Sequence, residues 1–173
     1  MDRLSEPVTA VPGARTAWAL SLAGALPFVF ASLFLLIADR DNVWFGWFVD
    51  VVRTYGAIIL SFVGGIRWGA ALQARPRAFA ARDDGAGRTF ALSVVPSLAA
   101  WIALAMEPVF GFAFLAAAFA AQGAWDGLSG PSTFARAGGA EAPGRLPLWF
   151  VRLRTTITFI VVACLLLALF AVA

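Results

Sequence analysis

Residues 18–38 read WALSLAGALPFVFASLFLLIA, an apolar stretch without a charged side chain. A helix needs about 20 such residues to cross the hydrocarbon core of a bilayer. The stretch is too long for the core of a typical signal peptide, and no small-x-small cleavage site follows it. It therefore reads as a retained membrane anchor. Gly24 and Pro27 inside it predict a kink, which a membrane helix tolerates when neighbours satisfy the carbonyls that proline frees.

Four further spans follow, so the spans are placed at about 18–38, 51–72, 90–106, 109–125 and 155–173. Asp39-Arg40-Asp41-Asn42 forms a turn, and VWFGWFV at 43–49 is a short aromatic stretch suited to the membrane interface. Asp50 is expected to cap the second helix. Residues 73–89 form a basic loop, and Pro96 is expected to bend the third span. Glu107-Pro108 is a tight, solvated turn, which makes spans three and four an antiparallel hairpin. Residues 126–147, rich in Gly, Ala, Ser and Pro, read as a flexible loop. Leu148 to Arg154 approaches the last span, with Arg152 and Arg154 expected to anchor it to anionic headgroups. Thr155, Thr156 and Thr158 can bond back to their own helix. The fold class is all-α, one domain spanning 1–173, built as a five-helix transmembrane bundle. No internal repeat implies the inverted halves of a transporter.

Composition agrees. Of 173 residues 61% are hydrophobic and 13% charged, with a mean hydropathy of +0.84. Soluble domains run at about 45–50% and about 25%. All 13 basic residues are arginine, which together with abundant alanine reads as the bias of a GC-rich bacterial genome. A pI near 10.4 points towards nucleic acid at first sight, but net charge is only +3 and the arginines flank apolar segments, so no nucleic-acid partner is expected. Five spans put Arg3, Arg15, Arg75, Arg77, Arg82, Arg88, Arg136, Arg145, Arg152 and Arg154 on one side, and Arg40 and Arg53 on the other, ten against two. Basic loops stay cytoplasmic, so the N-terminus is expected inside and the C-terminus outside a bacterial inner membrane. Trp18, Trp68, Trp125 and Trp149 fall at the inner interface, and Trp44, Trp47 and Trp101 at the outer one.

Few residues carry chemistry. The single cysteine, Cys164, lies in an apolar run and reads as core filler. Histidine, the commonest general base and metal ligand, is absent. The chain has no P-loop, paired cysteines, HExxH or GxSxG. No catalytic residue, cofactor or metal ligand is assigned, and no enzymatic activity is expected. The second span is the informative one. Ala57, Ser61, Gly65 and Gly69 recur every four residues, and Gly64 widens the stripe. Small side chains on one face let another backbone approach closely, and van der Waals packing holds membrane helices together. Arg67 lies in this span, where it either snorkels to the interface or finds a partner. Asp126, at the same side, is disfavoured by the dipole at the end of its helix and is the expected partner. Gln122 lies one turn earlier, and Tyr55 completes a candidate polar site of Arg67, Asp126, Gln122 and Tyr55.

YGAIILSFVGGIRWG at 55–69 resembles the signature of a membrane family called domain of unknown function 3429. Other features are similar in order: Leu26-Pro27-Phe28, VVPS at 94–97, Asp126 after the fourth span, and a Trp-Phe-x-x-Leu-Arg segment at 149–154. The resemblance covers roughly residues 16–170 and implies a multi-span protein with no assigned activity to carry over. The expected role is non-enzymatic packing against a partner membrane protein or a second copy, in assembly or stabilisation of a complex. The alternative is a small transporter, channel or ligand-binding protein with its polar site around Arg67 and Asp126.

Overall fold

The computed structural model describes residues 13–73, 84–128 and 148–173. These form α1 (Ala14–Ile37), α2 (Phe45–Gln73), α3 (Asp84–Ala105), α4 (Pro108–Leu128) and α5 (Leu148–Val172). All five are long and apolar enough to cross a membrane. No strand occurs among the described residues.

The helices outrun the hydropathy windows because backbone hydrogen bonding continues through the interface after the apolar run ends. At Asn42 the side-chain Oδ1 accepts the N–H of Trp44, and the backbone carbonyl accepts that of Phe45. The aromatic segment then enters α2 directly, with Phe48 4.1 Å from Phe34 of α1 between ring centroids. Asp50 is consequently an exposed residue inside α2 and not its cap. The approach segment before the last span is likewise helical, as are residues 84–89 and 126–128. The rest of the expected loops, 74–83 and 129–147, lies outside the described residues. Gly13 opens α1 at φ +82°, a left-handed conformation that glycine adopts without a Cβ penalty.

Successive helices run antiparallel. Arg67 near the end of α2, Asp126 near the end of α4 and Arg154 near the start of α5 meet at one end, here the basic end. At the opposite end α3 and α4 are joined only by Met106 and Glu107, with Pro108 in the first-turn position where its missing N–H costs nothing. Glu107 is exposed, as expected.

The core gathers around Phe28 of α1. Its ring lies 5.0 Å from Tyr55 of α2 and, edge-on, 6.2 Å from Phe119 of α4. Leu60, Phe112, Leu115 and Leu165 are fully enclosed with it, and Cys164 is buried nearby as filler. α3 joins from the side through Ala100 and Ala103. Pro27 stays within a continuous α1, but it lacks an N–H and weakens the turn before it. Tyr55 meets that turn, its hydroxyl donating to the carbonyl of Gly24 at 2.8 Å. The outside is as apolar as the inside: Phe159 and Phe170 are each 73% exposed. Such a surface is at rest only against lipid.

Candidate functional site

The α-helical phase of α2 turns Arg67 toward α4 and Trp68 toward α3, where Trp68 meets Phe90 at 4.8 Å. Arg67 donates from Nε to Oδ1 of Asp126 at 3.0 Å and from Nη2 to the carbonyl of Trp125 at 2.9 Å. Its guanidinium lies over the Trp125 indole, 4.2 Å from the ring centroid. The stacking is a cation–π contact that also shields the ion pair from water. Gln122, one turn earlier, donates to the same Oδ1 at 3.2 Å.

The other carboxylate oxygen is taken as well. Arg154 of α5 donates from Nε to Oδ2 at 3.1 Å. Arg154 is therefore not the headgroup anchor expected from sequence; it faces inward, while its neighbour Arg152 is exposed. The inward face of α5 runs Arg154, Val161, Leu165, Ala168 at helical spacing, so Arg154 begins the same stripe that ends in the core. Asp126 thus ties α2, α4 and α5. Side-chain exposure is 11% for each arginine and 5% for Asp126, so the cluster is essentially dry. Among the described residues, two guanidiniums against one carboxylate leave one positive charge in excess.

Tyr55 does not belong to this cluster. It precedes Arg67 by twelve residues on α2, about 18 Å along the axis, and serves α1 instead. The expected stripe also divides. Gly64 is the close-contact glycine: a Cβ there would stand 2.8 Å from the Ser93 carbonyl oxygen and 3.1 Å from the Pro96 ring. Ala57 is buried and Ser61, half-buried, donates back to the Ala57 carbonyl at 2.8 Å. A Cβ at Gly65 or Gly69 would meet nothing within 4 Å among the described residues, so their face is left open there.

A second buried cation was not anticipated as structural. Arg53, read from sequence only as one of two arginines on the opposite side, is 8% exposed. Its Nη2 donates to the carbonyls of Ala103 and Leu104, each at 3.0 Å, and to that of Met106. These belong to the last turn of α3 and the hairpin, where no further helix supplies N–H groups. Gly111 makes room, since a Cβ there would lie 2.7 Å from the Ala103 carbonyl oxygen and 3.1 Å from Arg53 Nε. The legible signal was a glycine just inside the α4 hairpin arm. Among the described residues no group of three His, Cys, Asp or Glu side chains could hold a metal.

The family model described as "Protein of unknown function (DUF3429)" matches residues 13–170. Transmembrane protein 69 of Xenopus tropicalis is 42% identical over 88 residues, 49% of this chain and 30% of that relative's length. No solved structure matches the chain.

Proposed function

The chain belongs to this family of membrane proteins of unknown function, and we propose that it is a non-enzymatic packing subunit that receives a transmembrane helix along the outer face of α2. The reading rests on the open half of the small-residue stripe. Thr54, Ala57, Ile58 and Ser61 of α2, with Ser97, Ala100, Trp101 and Leu104 of α3, line a shallow groove of about 360 Å³, small side chains at its floor and Ile58 and Trp101 at its walls. Gly65 and Gly69 prolong it toward the basic end, and among the described residues no atom lies within 4 Å of a Cβ placed there. In lipid, where burial of apolar surface gives no net drive between helices, the small residues of this groove favour a partner by allowing close backbone approach. Within the chain this face has no partner among the described residues, while Gly64, one position away, already serves α3.

The transport reading would use the arginine–carboxylate cluster as a polar path. Its low exposure, direct pairing and indole cover weigh against water reaching it. In this account the cluster is a clamp that fixes α2 so that its outer face is presented rigidly. The host membrane is a bacterial inner membrane, and the basic end lies in the cytoplasm.

Native mass spectrometry of the tagged protein from its own host in mild detergent tests this. A stoichiometric second polypeptide, or a second copy, is expected, and it is lost when Gly65 or Gly69 is changed to Leu. A lone chain carrying a reproducible small-molecule mass, unaffected by those changes, would transfer the assignment to transport or ligand binding.

A further inference from the structure

A different groove lies between α3 and α4. Leu92, Pro96 and Ala99 on one side and Ala121, Gln122 and Trp125 on the other line a cleft of about 540 Å³. That is within the range of small-molecule sites. It is apolar for most of its length and runs toward the basic end. Leu92, Val95 and Ala99 are exposed or half-buried, so it opens sideways to the bilayer and not into the bundle.

Among the described side chains its mouth is cationic. Arg88 is exposed and precedes Leu92 by one helical turn, so it stands on the same face of α3, just beyond the apolar lining. Opposite it is Trp125, and on the Trp125 ring lies Arg67. Trp68, Trp125 and Trp149 place this end of the bundle at the level where headgroups reside.

We propose that the α3–α4 groove binds one anionic phospholipid, with an acyl chain along Pro96, Ala99 and Ala121 and the phosphate at Arg88, above Trp125. One molecule satisfies both halves of the site: the apolar cleft takes the chain, and the exposed Arg88 takes the headgroup. A second apolar helix would cover the cleft but offer Arg88 no anion. The site is separate from the outer face of α2 and does not depend on it.

The test uses the purified, delipidated full chain, titrated with phosphatidylglycerol or with phosphatidylcholine of identical acyl chains, and read by native mass spectrometry. Phosphatidylglycerol is expected to be retained at least about fivefold more, the worth of one interfacial arginine. Arg88→Gln is expected to remove most of that preference, and Ala121→Phe, which fills the cleft from its exposed side, to lower retention of both lipids. Arg40→Gln, at the opposite end, is expected to change neither. Equal retention of the two lipids overturns the proposal. So does a preference unaltered by Arg88→Gln, or binding of inorganic phosphate that displaces no lipid. Because Arg88 is exposed, its variant keeps the fold and the outcome is readable.

Discussion

Asp126 holds two arginines with one carboxylate, and the arithmetic of that ratio sets an order among mutants. Asp126→Asn leaves two buried guanidiniums facing each other across a neutral amide. Removing one partner of a buried pair costs about 3–5 kcal/mol. Changing Arg154 to Gln leaves a balanced one-to-one pair and removes one charge-assisted hydrogen bond, worth about 1.5–3 kcal/mol. Thermal unfolding followed by circular dichroism in detergent should therefore place Asp126→Asn below Arg154→Gln. Arg154→Gln less stable than Asp126→Asn would mean that charge balance does not govern the clamp. Arg53 gives a second expectation. Its guanidinium serves three carbonyls from a single nitrogen, which an apolar side chain cannot do. Arg53→Met is expected to lower stability by about 2–3 kcal/mol, and Arg53→Lys to recover only part, because the lysine side chain is one bond shorter and its ammonium stops short of the place where Nη2 meets the three carbonyls. Full recovery by Lys would show that charge alone matters there.

At the scale of elements, two glycines five positions apart in α2 should behave oppositely. Gly64→Ala drives a Cβ against the Ser93 carbonyl and is expected to cost about 1–3 kcal/mol by separating α2 from α3. Gly69→Ala meets open space and should be neutral or stabilising by up to about 1 kcal/mol, the ordinary helix-propensity gain. The same unfolding measurement decides it, and a harmless Gly64→Ala would contradict the close approach. What was legible in the sequence follows from the same physics. Span number, the tight α3–α4 hairpin and the Arg67–Asp126 contact could be read because each involves a polar signal on an apolar background. The inward direction of Arg154 could not. α5 is apolar all round, and lipid tails are as apolar as the core, so hydropathy does not mark which face is inside. The same blindness hid which of Gly64 and Gly65 meets α3, and it let Tyr55 be grouped with residues three turns away. The helix ends were misplaced by up to seven residues (Leu148 against 155) because a hydropathy window sees the membrane, whereas the helix ends only where its hydrogen bonds do.

For the molecule as a whole, a bundle clamped at one end by Asp126 and at the other by Arg53 presents its remaining surfaces as fixed faces. One is the small-residue face of α2, and another is the α3–α4 groove. The orientation proposed across the membrane rests on the arginine bias. In a Cys164→Ala background, single cysteines at Asp39 or Glu107 should react with an impermeant maleimide added outside whole cells. One at Arg88 should react only after permeabilisation, and the reverse pattern would invert the topology.

The central claim, that the outer face of α2 receives another transmembrane helix, is most directly tested by site-specific photo-crosslinking in native membranes. A photoreactive residue is placed at Gly65 or Gly69, and, for comparison, at Phe170, an exposed position on α5. The account predicts one discrete protein adduct from 65 and 69, none from 170, and loss of the adduct when Ser61 is changed to Phe. Lipid-only labelling at all three positions would contradict it.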